Sequence, residues 1–250
     1  VGARRHPSSY RAETRSSAIV PESTEQVRAD FDRIAREMEA AGAGPDQPYL
    51  HHLPSSVPPD CGNALEVGCG TGELTRLLAD RCGRVLAIDL SPEMIRIARR
   101  NSAALSNVEY RVADVMEMAL PDEAFDCVAS VATLHHLPAA DAVRRMQAAL
   151  RPGGVLILHD VLEWSGPTGF LVSAVATLAR YVRAHVRGPR RTSRALREAW
   201  RAHGAGERYL RPREVRDLVR RELPGAAVRL HLFWRYTVVW TKPRDGSARA

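Results

Sequence analysis

The chain has 250 residues, 45% of them apolar and 26% charged, enough for one sizeable α/β domain with an accessory element and short for two full domains. That balance excludes a disordered or collagen-like chain, and the longest strongly apolar run, residues 171–179, is too short to cross a bilayer. The net charge of +7 is unevenly placed: residues 180–221 hold fourteen arginines against Glu198, Glu207, Glu214 and Asp217, which leaves the rest of the chain slightly acidic.

Residues 1–22 are polar and aperiodic and read as a flexible arm, without the apolar core of a signal peptide. A helix is predicted from Ser23, which stands in capping-box spacing with Gln26, and its apolar face carries Val27, Phe31, Ile34 and Met38. A proline-rich connection to residue 59 follows. From residue 64 strands and helices alternate: strands over 64–67, 84–89, 108–112, 125–131 and 155–160, helices over 72–80, 92–101 and 138–150. Such alternation predicts βαβ units and a mostly parallel sheet covered on both faces. Helices are then expected over 169–186, 195–202 and 212–223, and last come two strands over 227–233 and 235–241. The link between those two is too short for a crossover, so they should pair antiparallel.

This divides the chain into the arm, an N-terminal cover over 23–59, a core over 60–163, an Arg-rich helical insertion over 164–211, completing elements over 212–242 and a tail over 243–250. Cys61, Cys69, Cys82 and Cys127 form no CxxC pair and no metal-ligand spacing, so they are expected to be reduced thiols of a soluble cytoplasmic protein, with no metal site.

The chemistry concentrates where strands end. Leu65-Glu66-Val67-Gly68-Cys69-Gly70-Thr71-Gly72 closes the first strand with a glycine turn that lets backbone approach a ligand. A glycine turn alone also suits dehydrogenases, but Glu73 stands where a dinucleotide fingerprint wants its last small residue. Glu66 before the turn suits a cationic ligand better than a pyrophosphate. Asp89 ends the second strand, where a carboxylate can accept both hydroxyls of a ribose, and Asp114 follows the third. Three carboxylates around a glycine turn with no nearby Lys or Arg describe a nucleoside without phosphates. They do not describe NAD or ATP, which leaves a nicotinamide dehydrogenase as a distant alternative.

The segments LEVGCGTGELT, VLAIDLSPEMI, VADV, FDCVASVATLHHL and LRPGGVLILHD, in that order over about residues 60–160, resemble the motifs of class I S-adenosylmethionine-dependent methyltransferases. The resemblance implies a Rossmann-like, doubly wound seven-stranded sheet with a C-terminal antiparallel hairpin and a helical lid insertion. It implies S-adenosyl-L-methionine as cofactor, with Glu66, Gly68, Cys69, Gly70 and Gly72 cradling the methionine and ribose. Asp89 would hold the ribose diol, Asp114 the adenine amine, and Leu90, Met94 and Val115 the faces of the ring, with Ser130 also on the cofactor side.

A hydroxyl acceptor needs a general base near its proton. His135 and His136 follow the fourth strand, while His159 and Asp160, on opposite faces, end the fifth. His136 is the expected base with Asp160 fixing its tautomer, and His135 the alternative. No Asn-Pro-Pro-Tyr-like motif follows the fourth strand, which disfavours methylation of a base amine, and the basic segment lacks interleaved aromatics, which disfavours nucleic acid. The expected activity is methylation of a small, partly apolar metabolite, on oxygen, with the arginines available to an anionic group. An RNA methyltransferase and a non-methylating cyclase on the same fold are the alternatives.

Overall fold

The computed structural model describes residues 23–42, 48–163, 193–231 and 233–244. Helix α1 runs over Thr24–Ala40, started by Ser23, whose hydroxyl accepts from the Gln26 amide at 3.2 Å. The predicted connection then contains a 3₁₀ segment, Pro48–Ser56, which packs Leu50 and Leu53 into the core. Proline density suggested loop alone. What holds the segment is burial of its apolar side chains, a tertiary effect that local propensity does not carry.

The core follows as β1 (Asn63–Val67), α2 (Glu73–Ala79), β2 (Arg84–Asp89), α3 (Pro92–Asn101), β3 (Val108–Val112), β4 (Phe125–Val131), α4 (Ala139–Ala149) and β5 (Leu150–Val161). After residues 164–192, which lie outside the described residues, come α5 (Arg194–His203), α6 (Pro212–Glu222), β6 (Ala227–His231) and β7 (Arg235–Thr241). The fifth strand starts five residues earlier than its apolar run, at the end of α4, because Gly153 and Gly154 interrupt the pattern that identifies a strand. The expected helix over 169–186 lies outside the described residues.

The sheet has the order β3-β2-β1-β4-β5-β7-β6, parallel through β5, with β7 antiparallel to both neighbours. Alternate residues serve opposite faces. Leu65, Val67, Val128 and Leu156 meet Met146 of α4 and Leu218 of α6 on one side. Ala64, Cys127, Ala129 and Ile157 meet Leu74 and Leu78 of α2 on the other. A separate cluster joins Ile34 and Met38 of α1 to Met94 and Ile97 of α3 and to Leu196 and Ala199 of α5. This cluster seats the cover on the core.

The cysteine expectation is corrected. Cys61 and Cys82 form a disulfide with their Cα atoms 4.6 Å apart, while Cys69 and Cys127 are free and buried. The cause is strand register: Asn63 pairs with Arg84, so residues two positions earlier on each chain segment also lie side by side. Spacing rules for short motifs do not see a contact made by parallel strands. The step from reduced thiols to a cytoplasmic place loses its support, and no described helix is long and apolar enough to cross a membrane.

Candidate active site

A cavity of about 620 Å³ opens above the carboxyl ends of β1 to β5, roofed by α1, the 3₁₀ segment, α5 and the loop after it. That size suits a cofactor and a small partner together.

Its first end lies over β1, β2 and β3. Gly68 takes φ +76°, and a Cβ there would sit 2.0 Å from Thr133 Oγ1, so both backbone and space require glycine. The amides of Gly68 and Cys69 donate to the Ile88 carbonyl at 2.8 and 3.0 Å, tying the turn to β2. Asp89 is fixed from both sides: Oδ2 accepts from the Gly70 amide at 2.8 Å and Oδ1 from the Ser91 amide at 2.9 Å. Burial raises its pKa, with those amides opposing. Each oxygen keeps lone pairs for a hydroxyl. Asp114 accepts from the Met116 amide at 2.7 Å. Leu90, Met94, Asp114 and Val115 all line the cavity.

Glu66 also lines it, 2% exposed, accepting from Thr75 Oγ1 at 2.5 Å. Burial pushes its pKa up to about 8, with the Thr75 hydroxyl opposing and Glu73 and Asp89 adding to the rise. A buried carboxyl surrounded by other carboxylates favours a cationic visitor. Two expectations at this end are corrected. Ser130 spends its hydroxyl on the Val67 carbonyl at 3.0 Å, and neither Ser130 nor Gly72 lines the cavity. Ser130 pairs with Val67 across β1 and β4, and a Cβ on Gly72 would meet the Tyr110 hydroxyl at 2.7 Å. Arginines are not absent either, since Arg76 reaches the Thr71 carbonyl at 3.3 Å.

The second end lies over β4, β5 and β7. A one-turn 3₁₀ segment, Leu134–His136, presents both histidines to the cavity. Asp160 is bound to His135 and not to His136, correcting the expected pair: Oδ2 accepts from the His135 amide at 3.0 Å and Oδ1 lies 2.6 Å from His135 Nδ1. The amide bond explains the choice, because it draws the carboxylate to the first residue of the turn. His159 faces away, stacked on Tyr49 at 4.5 Å with Nδ1 2.8 Å from the Thr237 hydroxyl.

Four residues here are not marked as site residues by any sequence motif: Phe31, His203, Glu207 and Tyr209. Glu207, read only as one acid among fourteen arginines, is the hub. Its Oε1 lies 2.6 Å from His203 Nε2 and 3.4 Å from the Nε2 atoms of both His135 and His136, and its Oε2 accepts from the Tyr209 hydroxyl. Phe31 stands edge-on to His136 and His203. His203 also meets Asp30 of α1 at 3.3 Å, so three distant segments converge. Burial opposes a charge on His135, but hydrogen bonds to Asp160 and Glu207 outweigh it and hold its pKa at about 9. Burial and the neighbouring His135 instead lower His136 to about 3. His136 Nε2 is buried with no hydrogen-bond partner. His135, His136 and Glu207 offer donor atoms all within 4.8 Å of one another, a set that could hold a metal ion.

Sheet order and cavity place the chain among the Rossmann-like α/β folds, whose ligands sit at the carboxyl ends of the strands. Residues 65–158 match a methyltransferase domain. The chain is 32% identical over 208 residues to an uncharacterized methyltransferase of Mycobacterium tuberculosis, covering 79% of this chain and 99% of that one. It is 35% identical over 149 residues to a ubiquinone biosynthesis O-methyltransferase of Xanthomonas axonopodis pv. citri, covering 56% of this chain and 61% of that one. Among solved structures it resembles the [4+2]-cyclase SpnF at a TM-score of 0.65 and 16% identity, over 91% of this chain and 100% of that one. The chain belongs to the S-adenosylmethionine-dependent methyltransferases. It is an enzyme, and S-adenosylmethionine is its cofactor.

Proposed function

We propose that the enzyme methylates an oxygen of a small, partly apolar metabolite held at the second end of the cavity. The observation that carries this reading is the unpartnered Nε2 of His136, a buried ring nitrogen in the cavity lining that is an acceptor in the Nδ1–H tautomer. An acceptor hydroxyl can donate a hydrogen bond there. General-base help is worth about 10²–10⁴ in rate where the base's pKa lies near the working pH. His136, lowered to about 3 in the free chain, reaches that range only as bound acceptor and the Glu207 charge favour its protonated form. His135 stands alongside as the alternative base, and Asp160 positions His135. Glu207, 3.4 Å from His136 Nε2, would offset the charge that His136 gains.

At the first end, Asp89 takes the ribose hydroxyls, Asp114 the adenine amine, and Leu90, Met94 and Val115 enclose the ring. Glu66, Gly68, Cys69 and Gly70 face the methionine portion. Methyl transfer from a sulfonium is then an in-line displacement that gains chiefly from proximity and from exclusion of water. Phe31 and Trp200 supply apolar wall. Arg235 supports an anionic group on the acceptor: its guanidinium sits 4.3 Å over the Tyr49 ring, lines the cavity, and has a buried Nη1 without a hydrogen-bond partner. The insertion over 164–211 is proposed to complete the acceptor site.

The test is incubation with methyl-labelled S-adenosylmethionine and a metabolite extract, with and without ribonuclease. Label in a ribonuclease-insensitive small molecule, as a methoxy group by mass fragmentation, is expected. Label on nitrogen or in RNA overturns the reading. Conversion of a metabolite without release of S-adenosylhomocysteine favours a cyclase.

A further inference from the structure

We propose that His135, His136 and Glu207 form a binding site for one divalent first-row transition-metal ion, with an open coordination position facing the acceptor. The ion's role rests on the O-methylation reading; its binding does not. Both imidazole Nε2 atoms lie 3.4 Å from Glu207 Oε1. That is longer than the usual N–H···O range of about 2.7–3.2 Å, so each contact is at best a weak hydrogen bond. It is the separation of two ligands around one tetrahedral ion, which is about 3.3–3.4 Å for bonds of about 2.0–2.1 Å.

The second observation is independent of spacing. The His136 side chain is only 8% exposed, and its Nε2 is buried with no hydrogen-bond partner. A buried lone pair without a partner is costly, and coordination removes that cost. The supporting contacts fit as well. Asp160 Oδ1, 2.6 Å from His135 Nδ1, keeps a proton on Nδ1, so Nε2 is the nitrogen that gives up its proton when an ion binds at the centre. His203 and the Tyr209 hydroxyl hold the Glu207 carboxylate in place. Two imidazoles and one carboxylate select zinc, iron(II), cobalt or nickel over magnesium and calcium, which prefer all-oxygen sets.

All three ligands line the cavity, so an acceptor oxygen can take the open position. In the metal-free chain His136 meets the acceptor's proton; with an ion on the same lone pair, the ion meets the acceptor's oxygen. The site was invisible to motif spacing because Glu207 lies 71 positions beyond His136 in the chain.

The experiment uses the full chain without a histidine tag, stripped by chelator and titrated with Co²⁺ and Zn²⁺. One Co²⁺ per chain with the ligand-field absorption of a four-coordinate site is expected, displaced by Zn²⁺. His136→Ala and Glu207→Gln should each weaken Zn²⁺ binding about 100-fold or more, and Asp160→Asn about 10–100-fold. His159→Ala should leave it unchanged. Retained S-adenosylhomocysteine affinity in each variant certifies the fold. Absence of stoichiometric Co²⁺, or Zn²⁺ affinity undiminished in both His136→Ala and Glu207→Gln, overturns the site. Failure of metal binding alongside an O-methylated product leaves the O-methylation reading standing, and metal binding alongside an N-methylated product does the reverse.

Discussion

The two ends of the cavity are built in different ways. The first end is assembled from turns that follow their own strands: Gly68 and Gly70 after β1, Asp89 closing β2, Asp114 just after β3. Asp89 and Asp114 there are held by backbone amides close by, as Asp89 is by Gly70 and Ser91, while Glu66 is held by the Thr75 hydroxyl nine positions on. The second end is assembled from α1, the turn after β4, the end of β5 and the loop beyond α5, and apart from the backbone amides on Asp160 its polar groups are held by one another. A site held by backbone is rigid before its ligand arrives, whereas a site held by side chains across segments depends on the cover being seated. Cofactor binding and catalysis should therefore separate cleanly under mutation.

The largest expected separation is at His136. His136→Ala should lower kcat by about 10²–10⁴, while affinity for S-adenosylhomocysteine changes less than a few-fold. Single-turnover rates and calorimetry read the two separately. Equal losses in both would mean that the ends are one cooperative unit.

Next is the disulfide, which staples the starts of β1 and β2 beneath the first end. Its 21-residue separation predicts a loss of about 3 kcal/mol in stability for Cys82→Ser. Denaturant unfolding of oxidised, reduced and variant protein checks this. Unchanged midpoints after reduction would show that β1–β2 pairing alone holds that edge.

Asp89→Ala should weaken S-adenosylhomocysteine binding about 30–100-fold, or about 2–2.7 kcal/mol, without changing Zn²⁺ affinity at the other end. A drop in Zn²⁺ affinity would break the comparison from the opposite side.

The same contrast explains what could be read from residues alone. Strands over 84–89, 108–112 and 125–131 and the helix over 92–101 coincide with the structure because hydrophobic period, capping serines and glycine punctuation are local. Glu66, Asp89 and Asp114 are found the same way, since a carboxylate at a strand end is a local pattern with one place to point. Glu207 is not, because nothing near it in sequence marks an acid that will meet three histidines. Asp160 was placed on the right sheet edge yet given the wrong histidine. Alternation chooses a face, but only the His135 amide at 3.0 Å chooses the neighbour. The Cys61–Cys82 bridge lies between these cases: both cysteines precede strands that were identified, and the missing step was the register that aligns them.

The smallest expected effect is at Glu66, and it sharpens the picture of the first end. Its carboxyl has an ordinary pKa of 4.5 and is pushed up to about 8 by burial in the folded chain, with Glu73 and Asp89 adding to the effect. A group whose pKa is raised on folding contributes stability that is complete below its unfolded pKa. That stability is lost as pH climbs through the folded pKa. Wild-type protein should thus lose stability between about pH 5 and pH 8 relative to Glu66→Gln, whose amide does not titrate. In a chain of this size 1 kcal/mol is about 2–4 °C in Tm, so a gap of a few degrees should open toward alkaline pH. Thermal melts of both proteins from pH 5 to pH 9 measure it. Saturating S-adenosylhomocysteine should narrow the gap, because its α-ammonium beside Glu66 favours the carboxylate and returns the proton to solvent. If the gap opens without ligand and is untouched by it, the ammonium lies elsewhere and Glu66 serves the β1 turn through Thr75 alone.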